Sequence, residues 1–379
     1  MKILSVFGTR PEAVKMAPIV RLLGKTHEIE SRVCVTAQHR QMLDQVLDLF
    51  QIKPHYDLDL MRDDQSLPEL SAAIFTNLDR VFTEYQPDWV LVQGDTTTVA
   101  ITALLAYYRR IQVGHVEAGL RTHDKWQPFP EEINRRVAGV TADLHFAPTE
   151  WSRNNLLREN VPDKLIVVTG NTVIDALKFV AEQDEPKEIK ELLAKLEIAS
   201  PAARNDGKRL ILVTAHRREN FGEPIENICH ALRELAGRDD IEIVYPVHLN
   251  PNIQEPVNRI LKDVPHVTLL HPLDYLPLVH LMKRSTLILT DSGGIQEEAP
   301  SFGIPVLVLR ETTERPEGVE AGTLKLVGTQ TSRIVQEAKR LLDDESEYAK
   351  MAKASNPYGD GHAADRIVEA LVERSESRL

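Results

Sequence analysis

Acid and base chemistry has four well-placed candidates in this chain: Asp95, Glu117, Glu131 and His216. Asp95 follows the apolar run Trp89–Gln93 in Gly94-Asp-Thr-Thr-Thr98, and Glu117 follows Val113–Val116 in Glu117-Ala-Gly-Leu-Arg121. His216 follows Leu210–Thr214 and is flanked by Arg217 and Arg218, which favours a site residue over a lone core histidine. Glu131 opens Pro128-Phe-Pro-Glu-Glu-Ile-Asn-Arg135, where Pro130 suits the first position of a helix. Taken alone, Glu131 and Glu132 would be carboxylates offsetting a helix dipole. Further carboxylates and a histidine at one cleft turn the balance towards proton transfer.

A second kind of chemistry, phosphate binding, is written in Leu287-Ile-Leu-Thr-Asp-Ser-Gly-Gly-Ile-Gln-Glu-Glu298. A strand runs into small residues and then a helix, so the amides of Ser292, Gly293 and Gly294 are expected to be free for a phosphate. Glu298, about one turn on, suits the hydroxyls of a ribose. A tight turn with an Asp cap is the plainer reading, but Arg315 and Arg10 are available as phosphate partners and favour a nucleotide. Lys15 lies one helical turn beyond Gly8-Thr-Arg-Pro-Glu12.

Other signals carry less. Gly359-Asp-Gly361-His-Ala-Ala364 imitates a dinucleotide fingerprint but follows no strand, and no such fingerprint follows the first apolar run. Walker A, His-Glu-x-x-His and Gly-x-Ser-x-Gly motifs are missing. His39, His115, His145 and His248 lack metal-ligand spacing, and Cys34 and Cys229 form no Cys-x-x-Cys. Neither a metal nor a cofactor is expected.

These residues need elements to hold them. Apolar runs recur at Lys2–Phe7, Arg32–Thr36, Trp89–Gln93, Val113–Val116, Leu144–Ala147 and Leu165–Thr169. A second series follows at Leu210–Thr214, Ile241–Tyr245, Val267–Leu270, Leu287–Thr290, Val306–Leu309 and Leu324–Val327. Continuous apolar runs separated by amphipathic stretches predict parallel strands covered on both faces, hence α/β domains of the doubly wound kind. Every candidate strand-end residue then lies beyond the carboxyl end of a strand, where such sheets bind ligands. Glu182–Lys208, without a strand-like run, opens the second domain, and 379 residues are too many for one core. With 45 Lys and Arg against 57 Asp and Glu, the net charge of -12 has the wrong sign for nucleic acid or an anionic membrane. No apolar stretch is long enough to span a membrane, Ile3–Phe7 is too short for a signal segment, and a cytoplasmic protein is expected.

Several segments together resemble the non-hydrolysing bacterial UDP-N-acetylglucosamine 2-epimerases: Phe7-Gly-Thr-Arg-Pro-Glu-Ala13, Val35-Thr-Ala-Gln-His-Arg-Gln41, Gly94–Thr98, Gly114-His-Val-Glu-Ala-Gly-Leu-Arg121, Pro130-Glu-Glu132 with Asn134-Arg135, Thr214-Ala-His-Arg-Arg-Glu-Asn220, Thr290–Gly294 with Gln296-Glu-Glu-Ala-Pro300, Thr312-Thr-Glu-Arg-Pro316 and Asn356-Pro-Tyr-Gly-Asp-Gly361. The resemblance covers essentially the whole chain. It implies two Rossmann-like domains facing a central cleft, as in glycosyltransferase-B folds: residues 1–170, residues 171–357, and a final helix within 358–379 packing back on the first. It implies interconversion of UDP-GlcNAc and UDP-ManNAc without NAD, by loss and re-addition of UDP, in a homodimer.

Residue by residue, it makes Asp95, Glu117, Glu131 and His216 catalytic, and Arg10, Lys15, Ser292, Gly293, Gly294, Glu298 and Arg315 substrate-binding. Base contacts fall at Leu273 and Leu278, where some members carry Gln and Phe. Gln38, Gln41, Arg217 and His248 match positions used for substrate activation by a second UDP-GlcNAc, although some members carry Arg where Asp64 stands. A glycosyltransferase and a non-catalytic nucleotide-sugar sensor are the alternative readings.

Overall fold

The computed structural model describes residues 1–36, 40–62, 64–198 and 207–376. It divides into two compact units, Met1–Ala176 together with Tyr358–Leu379, and Leu177–Pro357.

The first unit is built on strands β1 (Lys2–Phe7), β2 (Glu30–Val35), β3 (Tyr56–Asp57), β4 (Trp89–Gln93), β5 (Gln112–Val116), β6 (Leu144–Ala147) and β7 (Ile166–Val168). They form one sheet in the order β3-β2-β1-β4-β5-β6-β7. Every pairing is parallel, as the uninterrupted apolar runs predict. β3 is a departure. Its two residues pair Cys34 with Tyr56 and Val35 with Asp57 at the sheet edge, too short and too polar to leave an apolar run. Leu4, Val6, Val90 and Val92 are fully buried and join Ile74, Leu78 and Phe82 of helix Leu67–Tyr85 and Val99 and Ala103 of helix Thr97–Tyr108 in one core. Fully burying side chains of this size contributes about 1.5–3 kcal/mol each, which holds the strand ends in place.

Helix Arg10–Leu23 starts at a capping box in which Thr9 and Glu12 satisfy one another's backbone donors. Helix Ala363–Glu376 packs against it. That packing is anchored by Ala364 N–H, which donates to Asp175 Oδ1 at 2.8 Å, and by Arg366 Nη1, which donates to Thr169 O at 2.9 Å.

The second unit repeats the plan with β8 (Arg209–Thr214), β9 (Ile241–Pro246), β10 (Val267–Leu270), β11 (Leu287–Thr290), β12 (Val306–Val308) and β13 (Leu324–Leu326), ordered β10-β9-β8-β11-β12-β13 and again all parallel. Its core joins Ile211, Val213, Ile243, Leu289 and Leu307 to Ile228 and Leu232 of helix Glu223–Leu235. In both sheets the strand order reverses beside the first strand, between β1 and β4 and between β8 and β11. That is the point where a doubly wound sheet opens at its carboxyl edge to receive a ligand. Cys34 and Cys229 are buried and unpaired, and burial pushes both thiols up.

Candidate functional site

In the first unit, the turn after β1 is fixed by Glu12. Its buried carboxylate accepts Gly8 N–H at 2.8 Å and Thr9 N–H at 2.7 Å on Oε2, and the Thr96 hydroxyl at 2.6 Å on Oε1. One side chain thereby joins the turns after β1 and β4. Burial pushes the Glu12 carboxyl above its ordinary value, against the lowering effect of these donors. Arg10 is exposed at the start of the helix, without an ion-pair partner among the described residues. Lys15 is half-buried and reaches Glu117, its Nζ 2.7 Å from both carboxylate oxygens.

Glu117 is the most constrained of the candidates. Its side chain is only 6% exposed and its φ is +62°, a left-handed conformation that a non-glycine residue keeps only when its surroundings hold it there. Those surroundings are Lys15, the Gln93 amide, which donates to Oε2, and Asn171 Nδ2 at 3.4 Å. Neither Gln93 nor Asn171 carries a signal in the sequence, because each meets Glu117 only through the fold.

Gly94 takes φ +82° and turns the chain so that Asp95 follows β4. The Asp95 carboxylate is paired with Arg135 at 2.7 Å, and its carbonyl accepts Asn134 Nδ2 at 2.9 Å. Helix Glu131–Thr141 begins at Glu131 with Pro130 as its cap residue, not its first turn. Its two leading carboxylates part ways. Glu132 is fully buried and structural, accepting Thr122 N–H and His123 N–H and pairing with Arg135 and Arg136. Glu131 keeps a buried Oε2 with no hydrogen bond among the described residues, as a group held for a ligand would.

Beneath these groups lie His115 and His145, which face one another in the register of β5 and β6. His115 Nε2–H donates to Gly94 O at 2.7 Å and so supports the turn carrying Asp95. Burial lowers His115 to about 4 and His145 to about 3, so both are neutral in the folded protein. An unfolded histidine titrates near 6.5, so between 6.5 and about 4 the unfolded chain binds more protons and stability falls as the pH falls. For His115 the gap corresponds to about 3 kcal/mol, present above pH 6.5 and lost by about pH 4. Urea midpoints measured from pH 7.5 down to 5 are expected to fall, and His115→Asn is expected to flatten that slope. An unchanged slope in the variant contradicts the assignment.

In the second unit, β8 and β11 are tied at their ends by the Thr214 and Thr290 hydroxyls, 2.6 Å apart. Asp291, fully buried, accepts His216 N–H and Arg217 N–H at 2.8 Å each and Asn220 Nδ2 at 2.9 Å. It does not cap the following helix, Gly293–Glu298, which no side chain caps. Ser292 departs from expectation, because its N–H donates to Thr290 Oγ1 at 2.9 Å and is not free. Gly293 and Gly294 are the first residues of that helix, and a Cβ on Gly293 would lie 2.9 Å from Arg315 Cζ. The Arg315 guanidinium thus lies against the glycine turn, pairing with Glu297 at 2.9 Å and Glu314 at 2.8 Å. Glu298 ends the helix and meets the Tyr275 hydroxyl at 3.4 Å, which links it to the segment bearing Leu273 and Leu278. Those two leucines are half-buried, one in the loop after β10 and one on helix Tyr275–Arg284.

The His216 and His248 rings are stacked, with centroids 5.6 Å apart and planes at 14°. Arg217 is half-buried beside them. Gln41 stands at the start of helix Arg40–Leu49, and Gln38 lies outside the described residues. Among the described residues no group of His, Cys, Asp and Glu is arranged to hold a metal, and no helix is long and apolar enough to cross a membrane.

Comparison with known proteins shows the family. The family model described as UDP-N-acetylglucosamine 2-epimerase matches residues 21–372. The UDP-N-acetylglucosamine 2-epimerase of Escherichia coli K12 is 59% identical over 374 residues, 98% of this chain and 98% of that protein. The crystal structure of the Neisseria meningitidis UDP-GlcNAc 2-epimerase bound to UDP-GlcNAc superposes with a TM-score of 0.87 at 52% identity, covering 98% of this chain and 100% of that one. The Methanocaldococcus jannaschii enzyme in complex with UDP-GlcNAc and UDP superposes with a TM-score of 0.78 at 33% identity, covering 98% and 100%. On fold, motifs and relatives together, the chain belongs to the UDP-N-acetylglucosamine 2-epimerase family.

Proposed function

We propose that this chain, an epimerase of that family, converts UDP-GlcNAc reversibly to UDP-ManNAc by eliminating and re-adding UDP. The hydrogen on C2 of the sugar is not next to a carbonyl and is hardly acidic, so direct deprotonation is a poor first step. Departure of UDP solves this. The C1–O bond breaks with its electron pair leaving on the diphosphate, C1 gains oxocarbenium character, and the C2–H bond pair closes a C1=C2 double bond as a base takes the proton. In the return step an acid protonates C2 on the opposite face and a diphosphate oxygen attacks C1.

In this reading the second domain holds UDP through Ser292, Gly293, Gly294, Glu298 and Arg315, with Leu273 and Leu278 towards the base. Arg10 and Lys15 supply positive charge, which stabilises the leaving diphosphate. Asp95, Glu117, Glu131 and His216 supply the bases and acids. The observation that supports it best is Glu117, a nearly buried carboxylate kept at a positive φ and clamped by Lys15. Such a costly arrangement is characteristic of a working group.

We read the protein as cytoplasmic, from its two unpaired buried cysteines. We also read it as a homodimer, for which the exposed Tyr107, Tyr108 and Val140 of the first domain offer apolar surface. Arg217 and His248, with Gln38 and Gln41, are the groups we assign to a second, activating UDP-GlcNAc. Incubation with UDP-GlcNAc alone tests the activity. UDP-ManNAc is the expected product, whereas free UDP with free sugar alone, or intact substrate, contradicts it.

A further inference from the structure

We propose that Asp291 is the positioning residue of His216, holding the imidazole proton on Nδ1 so that Nε2 is the atom that takes or gives a proton. The proposal rests on the reading above that His216 serves the epimerisation, and it assigns to a second residue the control of that histidine's protonation.

The observation behind it is an asymmetry in one carboxylate. Asp291 is fully buried at the end of β11, beside the end of β8. Its Oδ2 accepts His216 N–H, Arg217 N–H and the Asn220 amide, which is already sufficient to tie down the turn. Its Oδ1 is buried and accepts no hydrogen bond among the described residues. That oxygen lies 3.6 Å from His216 Nδ1. A buried carboxylate oxygen without a donor is costly unless a donor arrives during function. His216 Nδ1–H is the donor within reach, since a small rotation of the ring closes the gap, and catalytic hydrogen bonds are often long before substrate binds.

Several neighbouring groups among the described residues are engaged elsewhere. Tyr245 donates its hydroxyl to Ala215 O at 2.7 Å and so does not compete for Oδ1. His248 is stacked on the ring, with its Nδ1 accepting Asn250 N–H at 3.1 Å. Glu219 is paired with Arg310. Arg217 and Arg218 neighbour His216 in the chain, and their positive charge opposes an imidazolium unless a carboxylate offsets it. With Asp291 ionised, Nε2 can gain a proton to give an imidazolium and return it later, while the proton on Nδ1 stays in place and Asp291 stays a carboxylate. The pairing follows the logic of a carboxylate that orients a catalytic histidine.

The test combines nuclear magnetic resonance of the full chain, labelled at histidine nitrogen, with kinetics. His216 is assigned by loss of its signals in His216→Gln. In the parent protein the neutral His216 ring is expected to carry its proton on Nδ1, and finding it on Nε2 overturns the proposal without any variant. In Asp291→Asn the amide oxygen still accepts the backbone N–H groups, while the amide nitrogen faces the ring as a donor and forces Nδ1 to accept. The expected result is a His216 titration midpoint lowered by at least one pH unit and a kcat lowered at least a hundredfold, with KM changed less than threefold. An unchanged midpoint, or a kcat loss matched by loss of folded protein, overturns the proposal. Parental turnover in His216→Gln would instead remove the catalytic reading of His216, and the tautomer and midpoint would still decide whether Asp291 and His216 are paired.

Discussion

Glu117→Gln is expected to lower kcat by about 10²- to 10⁴-fold, the range for a general acid or base, with the thermal midpoint measured alongside so that the loss is counted per folded molecule. The amide keeps the shape of the carboxylate and can still accept from Lys15, but it cannot take up a proton. Lys15 Nζ lies 2.7 Å from both Glu117 oxygens, and the two side chains are 15% and 6% exposed. Loss of the negative charge therefore leaves an ammonium group in a poorly solvated place, which destabilises as well as inactivates. A partial reaction should survive. If UDP can still leave but C2 is not reprotonated correctly, the unsaturated sugar and UDP escape together and are visible by chromatography. Parental kcat in a folded Glu117→Gln protein would remove Glu117 from the chemistry.

Arg315→Ala is expected to weaken UDP binding by about 1.5–3 kcal/mol, or about 10- to 150-fold. The guanidinium lies against Gly293, in the space that a Cβ at that position would take. Its two carboxylate partners, Glu297 and Glu314, orient it and also moderate its charge, which argues for the middle of that range. Arg315→Lys should recover only part of the loss, because an ammonium group lacks the planar fork that meets two phosphate oxygens at once. Calorimetry with UDP decides, and unchanged affinity in Arg315→Ala contradicts the assignment.

The sheets were readable from the sequence because a strand covered on both faces must be apolar throughout, and β1, β4, β6, β10 and β11 begin and end where their runs do. β3 was not, since an edge pair needs only two residues of backbone. Residues just beyond the strands, such as Asp95, Glu117 and His216, were legible for the same topological reason: the carboxyl edge of a parallel sheet is where polar groups gather. Their partners were not. Gln93, Asn171 and Arg135 act across 24, 54 and 40 positions of sequence, distances that no periodicity encodes. His115 and His145 lack metal-ligand spacing in the sequence, and the β5–β6 register sets them side by side as neutral core groups. The role of Asp291 is likewise not encoded locally, because its donors come from the turn after β8.

Elimination and re-addition of UDP is tested most directly by running the UDP-GlcNAc reaction in deuterated water and examining C2 of the UDP-ManNAc formed. The C2 proton passes to a side chain that exchanges with solvent, and the return proton comes from solvent, so the product should carry deuterium at C2. UDP-ManNAc that retains the original hydrogen at C2 would contradict the mechanism.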